Sequence, residues 1–386
     1  MKSINKVLSL ILSVLMISSI LSVCVITSDA LTTVVYGDYE CEKIDSNSVK
    51  IYKYLGTETD ITLPKYFGNI TVVGISDSAF EKTTLNSVTI PEGYTSIGDF
   101  AFYGATNITS VKIPSTVSSI GMSAFAFMEK LNSFDLSSAS SLKTISSYML
   151  RNCTALKSIT IPSTVTSISS GAFRESGLES VTIPNTVKSI GDNLFYGCTS
   201  LTDVTLPKGI TEIPEYCFYG CSAITQIDIP VSVKTISNRA FYECTSLNSI
   251  VLPPALETLG ARVFYNDSAL KYVYVPNTVT SIGLDCFAPM DIQKQLTVDC
   301  VADSYASQYF YERFVDTTDY LMGDFNKDGE LNIRDVTAIQ EYLVATYTGD
   351  VTDIQLKIAD VTRDNNLNIR DVTRIQEHLV GSVESL

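Results

Sequence analysis

Residues 180–202 read SVTIPNTVKSIGDNLFYGCTSLT, and residues 203–225 read DVTLPKGITEIPEYCFYGCSAIT. Aligned on their prolines, both carry an apolar-x-apolar-Pro signature, a downstream apolar pair, an aromatic pair and a cysteine. The register extends in both directions through Pro64, Pro91, Pro114, Pro162, Pro184, Pro207, Pro230, Pro253 and Pro276, with every step between Pro184 and Pro276 equal to 23. Asp135-Leu136-Ser137 fills the gap after Pro114, with Ser in place of Pro. One aromatic position recurs as Phe80, Phe102, Phe125, Phe173, Phe195, Phe218, Phe241, Phe264 and Phe287. A unit of this length cannot bury its own apolar edge, so it must stack on copies of itself. The expectation is a β-rich solenoid, a parallel strand ladder of about ten 23-residue repeats running from Ile61–Leu63 to Val273–Val275. Each repeat is expected to supply one strand and two turns. Leu296-Thr297-Val298 falls 23 residues beyond the last strand, and Asp303 to Phe314 reads as a helical C-terminal cap over the exposed end.

Strand alternation assigns the faces. One outward column reads Ser87, Ser110, Ser133, Ser158, Ser180, Asp203, Gln226, Ser249, Tyr272; the other reads Thr89, Lys112, Asp135, Thr160, Thr182, Thr205, Asp228, Val251, Tyr274. Hydroxyls dominate, which is the composition of a solvated sheet rather than of an aromatic platform. Cys153, Cys198, Cys221 and Cys244 share one repeat position and are expected to form a buried apolar column; Cys286 and Cys300 are the better disulfide pair. Tyr196, Tyr219, Tyr242 and Tyr265 make another column at a stride of 23. With Tyr272 and Tyr274 they are the candidate ligand-binding residues, offering phenol rings to sugars or to a partner protein; the alternative is that they cover a turn edge.

The composition excludes several classes of function. The chain has 386 residues, a net charge of −15, one His and no Trp. That balance disfavours nucleic acid and anionic membranes as partners and leaves little for His-based catalysis. Lys2 and Lys6 precede an uncharged run from Val7 to Ile26 that ends in Ser28-Asp29-Ala30. This reads as a signal peptide over 1–30 and implies a secreted or cell-surface product.

The C-terminal segment carries a different pattern. Asp324, Asn326, Asp328, Glu330, Asn332 and Asp335 stand at positions 1, 3, 5, 7, 9 and 12 of a loop with Gly329 at its tight turn. Alternation aims successive oxygens at one point, as hard Ca²⁺ requires. Asp360, Thr362, Asp364, Asn366, Asn368 and Asp371 repeat the loop at an offset of 36, and LNIRDVT occurs at both 331–337 and 367–373. Two Ca²⁺ ions are therefore expected, with the second site weakened by Thr362 at position 3. Val336, Ile339 and Leu343, like Val372, Ile375 and Leu379, are spaced as one buried helical face.

The repeats resemble the leucine-rich repeats of BspA-like bacterial surface proteins, and the paired loop–helix units resemble a type I dockerin. The resemblance implies a solenoid over 31–317 joined to a small all-α calcium-binding dockerin over 318–386. It further implies a cohesin module of a scaffoldin as partner, contacted through Ile333, Arg334, Gln340 and Glu341 and through Ile369, Arg370, Gln376 and Glu377. The protein would then be a secreted, non-catalytic, cellulosome-associated component whose solenoid binds a protein, a cell surface or plant polysaccharide. The alternative is a glycoside hydrolase with its site on the solenoid, for which Asp203 and Asp228 are the nearest carboxylate pair.

Overall fold

The computed structural model describes residues 32–287, 296–300, 304–314, 325, 331–344, 359, 361–362 and 367–380. The expected signal segment, the connection over 316–322, and Asp324, Asn326, Asp328, Glu330, Asp360, Asp364 and Asn366 lie outside them.

The described residues between 33 and 300 build a β-solenoid of about 11 turns. The proline signature forms the expected parallel ladder, with Ser180, Val181 and Thr182 in register with Asp203, Val204 and Thr205. Within each strand the middle residue faces the core and its two neighbours face out, as at Ser158–Thr160 and Ser180–Thr182.

Each repeat holds more than one strand. A second two-residue strand forms at the downstream apolar pair, as at Ser119–Ile120, Ser167–Ile168, Thr235–Ile236 and Thr258–Leu259, again in parallel register with its neighbours. A third set of rungs crosses the aromatic turn. The Phe195 N–H donates to the Cys217 carbonyl, Phe218 to Ala240, and Phe241 to Val263, at 2.7–3.0 Å. These turns keep a residue at φ of 54–57° in successive repeats, including Tyr148, Asn193, Tyr216, Arg239 and Arg262. The left-handed backbone is unfavourable for such side chains. It persists because each of these N–H groups donates to a carbonyl of the following repeat, as Tyr216 does to Asn238 and Arg239 to Ala261.

The core is a column of rings. Neighbouring phenylalanines from Phe173 to Phe287 stack at 5.1–5.7 Å with interplanar angles of 9–22°. Leu150 replaces the ring between Phe125 and Phe173 and is fully buried there. The cysteine column is also buried, and its thiols are not idle. Cys153, Cys198, Cys221 and Cys244 donate to the carbonyls of Phe125, Phe173, Phe195 and Phe218 at 3.0–3.2 Å. Burial pushes the thiol up to about 11 at Cys198 and about 12 at Cys153. A thiol so held is a weak nucleophile and a poor metal ligand. Cys286 and Cys300 are free thiols rather than a disulfide.

Both ends of the stack are covered. Thr297–Cys300 pairs in parallel with Tyr272–Val275, and the helix Tyr305–Phe314 sets Phe310 at 5.1 Å from Phe287. At the other end three antiparallel strands, Thr33–Tyr36, Tyr39–Lys43 and Ser48–Tyr54, precede the first repeat. Tyr36 stacks on Phe67 at 4.7 Å, and Tyr54 lies 6.5 Å from Phe80.

Separately, the helices Ile333–Leu343 and Ile369–Leu379 share a small core of Val336, Ile339, Val372 and Ile375 with Phe325, Ala338, Ala359 and Val361. Leu343 and Leu379 do not belong to it. Each is 37% exposed, which corrects the spacing-based expectation that they would be buried.

Candidate functional site

The best-defined site lies at the N-termini of the paired helices. Asn332 and Asn368 are N-caps, their side chains accepting from the Arg334 and Arg370 N–H groups at 2.8 and 2.9 Å. Asp335 and Asp371 complete capping boxes by accepting from the Asn332 and Asn368 N–H groups, both at 2.9 Å. A capping box satisfies two donors that the first helical turn leaves over. Reading the sequence had given these four residues to metal alone; the Asn-x-x-Asp spacing carries the capping role as well.

Asp335 and Asp371 are fully buried. A buried carboxylate is costly without positive charge or several donors. At Asp371 the second oxygen accepts from the Thr362 N–H at 2.9 Å and the Thr362 hydroxyl at 2.8 Å. Among the described residues no Lys or Arg forms an ion pair with it. The donor set is all hard oxygen, carboxylate and amide, which suits Ca²⁺ and none of the softer metals. The described residues alone do not assemble three metal-ligating side chains of the His, Cys, Asp or Glu type. Asn332, Asp335, Asn368 and Asp371 are the expected ligands that the structure does place, at the mouth of each helix.

Thr362, the expected ligand at position 3, also donates its hydroxyl to Asp371 at 2.8 Å, and a hydroxyl brings no full charge to a cation. Thr362→Asp is expected to tighten calcium binding at the second loop by about tenfold, as each added carboxylate raises such affinities. Titration calorimetry of wild type should show two unequal sites; equal affinities would contradict this account.

Ile333, Arg334, Gln340, Ile369, Arg370 and Gln376 are all exposed, with Glu341 exposed and Glu377 half-buried. Ile333 and Ile369 are 62% and 63% exposed, so the two helices present matching apolar tips beside a guanidinium. Val344 and Val380, more exposed still, were missed. The signal was present, since Leu-Val occurs at the same place in both copies.

On the solenoid, the tyrosine column is a true stack. Tyr196, Tyr219, Tyr242 and Tyr265 follow at 4.6, 4.7 and 5.0 Å with interplanar angles of 4–9°. The Arg174 guanidinium lies 4.1 Å over Tyr196, and that of Arg262 lies 5.7 Å from Tyr265. The ring faces are spent on one another and on arginine, leaving hydroxyls and edges outward. Burial raises the Tyr219 and Tyr242 hydroxyls above the usual phenol range, with nearby Glu243 adding to the effect. Tyr272 and Tyr274 sit apart, half-buried on the last strands, with the Tyr272 hydroxyl donating to Asp299 at 3.0 Å. Asp203 and Asp228, both exposed, line one shallow cavity of about 460 Å³ on the sheet face.

Two family models match the chain. The BspA type leucine rich repeat region matches in 6 copies over 73–186 and 166–293, and the dockerin type I domain matches over 322–380. Among solved structures, a leucine rich cell surface protein of Faecalibacterium prausnitzii is 23% identical, covering 70% of this chain and 99% of its own, with a TM-score of 0.33. A leucine-rich repeat protein of Bacteroides ovatus is 22% identical over 69% of this chain and 99% of its own, with a TM-score of 0.38. The pneumococcal vaccine antigen PcpA is 17% identical over 71% of this chain and 94% of its own, with a TM-score of 0.46. No curated protein matches the chain. Repeats that cover more than half of its length place the chain in the BspA-type leucine-rich-repeat family, and its C-terminal segment is a type I dockerin.

Proposed function

We propose that the protein is a secreted, non-catalytic component of a cellulosome-like assembly. Its dockerin binds a scaffoldin cohesin in a calcium-dependent manner, and its solenoid presents a ligand-binding surface beside the enzymes held there. The observation that carries the reading is the duplicated exposed tip, Ile333-Arg334 and Ile369-Arg370, standing on two helices whose buried Asp335 and Asp371 sit in calcium-loop positions. Two ions are assigned, one to each loop, through Asp324, Asn326, Asp328, Glu330, Asn332 and Asp335 and through the equivalent six residues from Asp360 to Asp371. Calcium would supply the positive charge that these clustered carboxylates require and would couple binding to folding. The module limits are taken as 31–317 and 318–386, after a signal segment over 1–30.

Both matched domains are non-catalytic in type. Tethering to a scaffold would raise the effective concentration of the solenoid near its neighbours without any new contact. Because the two tips are alike, cohesin is expected to seat in either of two orientations. A pull-down with a purified type I cohesin tests this. Ile333→Asp or Ile369→Asp alone should reduce capture only a fewfold, whereas the pair, or EDTA, should abolish it. Abolition by Ile333→Asp alone would exclude the two-orientation reading, and capture that survives EDTA would exclude the calcium requirement.

A further inference from the structure

The two docking helices are near-copies. From Asn332 to Val344 and from Asn368 to Val380 the sequences agree except that Ala338 becomes Arg374 and Tyr342 becomes His378. The two differing positions lie four residues apart, so they stand one above the other on a single flank of the helix. The outward strip beside that flank, Ile-Arg at the tip and Gln-Glu two turns on, is the same in both copies.

The flank differs in chemistry between the copies. In the first helix it is apolar and covered: Ala338 belongs to the small core, and the Tyr342 ring lies 5.9 Å from Phe325. In the second helix Arg374 is half-exposed, and its guanidinium reaches Glu377 at 3.8 Å. The His378 ring keeps Nδ1 buried, with no hydrogen-bond partner among the described residues. The charge that this flank shows to solvent is therefore that of Arg374. Two otherwise matching surfaces thus differ in sign. The first carries Arg334 and Glu341 and is neutral, whereas the second carries Arg370, Arg374 and Glu377 and is positive. On a chain of net charge −15, a local cation beside a docking tip is a directional signal, because charges at the rim of an interface set register and orientation.

We propose that Arg374 determines specificity in docking by making the two orientations unequal. The orientation that seats the second helix, with Ile369 at its centre, is favoured by a partner whose contact surface carries a carboxylate opposite this flank. The first helix offers the same partner only Ala338, so the other orientation gains nothing there. An exposed ion pair of this kind biases the two orientations by up to about fivefold. The inference rests on the docking role proposed above and adds to it which of the two helices leads.

The test uses the full chain with calcium and a type I cohesin that captures it in the pull-down described above, with Kd read by surface plasmon resonance. Removing one orientation leaves only what the other contributes. Ile369→Asp should therefore raise Kd about sixfold and Ile333→Asp less than about twofold. In an Arg374→Ala background the two effects should become equal, at about twofold each, and in Arg374→Glu their order should reverse. The difference should also shrink at high ionic strength, as an exposed charge contact requires. Calcium titration and thermal melting should be unchanged in both Arg374 variants, since the side chain lies on the helix surface. Equal effects of the two tip variants in the wild type would overturn the inference. So would an inequality that persists in Arg374→Ala, which would move its origin to Tyr342 and His378. Failure of every type I cohesin to capture the wild-type chain would instead refute the docking role itself, so the two failures are separate results.

Discussion

Alanine at both Asp335 and Asp371 is expected to abolish folding of the paired-helix unit and its calcium binding, while the solenoid melts as before. Asp371 accepts three hydrogen bonds, from Thr362 N–H, Thr362 hydroxyl and Asn368 N–H. Leaving a buried donor unpaired costs about 1–3 kcal/mol, and loss of a cap about 1 more. A unit of this size is held by only about 3–5 kcal/mol. Among the described residues its core is eight buried side chains. The double variant therefore exceeds what the unit can lose. Differential scanning calorimetry should show two transitions in the wild type with calcium and only the solenoid transition in the variant. EDTA should produce the same trace from the metal side. Two persistent transitions in both cases would show that these carboxylates are dispensable to the fold.

The second large effect is expected at a residue whose importance the sequence conceals. Asp267 occupies the position of Cys198, Cys221 and Cys244 one repeat further on. It is fully buried, accepts from the Cys244 N–H at 2.8 Å, and its other oxygen has no partner. The thiols at this position donate to a carbonyl, which an ionised carboxylate cannot do. Burial accordingly pushes the Asp267 carboxyl well above the ordinary range. The sign follows from linkage. Below about pH 4 the group is protonated in both states and costs nothing. As the pH rises, the unfolded chain ionises while the folded one does not, so stability falls until the folded value is reached. At neutral pH the solenoid is therefore less stable than near pH 4. Asp267→Cys, which restores the column, should raise the solenoid melting temperature at pH 7 and remove most of its decline between pH 4 and pH 7. An unchanged pH profile would mean that Asp267 ionises freely in the folded protein.

These three carboxylates also show what a sequence discloses. The 23-residue stride, the phenylalanine column and the duplicated loops were legible because each repeats, and repetition reports stacking whatever the local propensities. The second strand was not, because a two-residue strand such as Ser167–Ile168 has no alternation to read. The antiparallel cap over Thr33–Tyr54 was missed for the opposite reason, as it stands outside the period. Gln226-Ile227-Asp228 has the same pattern as its neighbours yet forms no strand, and nothing local in the sequence marks that difference. In the dockerin, Ile333 and Ile369 were singled out by the family resemblance, and both are exposed. The exposure of Leu343 and Leu379 was not, because helical spacing fixes a face but not how far the neighbouring helix extends along it.

The covered ends of the stack have a consequence for the proposed assembly. A parallel ladder left open at either end is a template on which the next copy can add, and many copies held side by side would grow into filaments. The Tyr36 and Phe67 pair closes one face of that template, and the helix bearing Phe310 closes the other. Copies displayed densely on the proposed scaffold are therefore expected to remain separate particles.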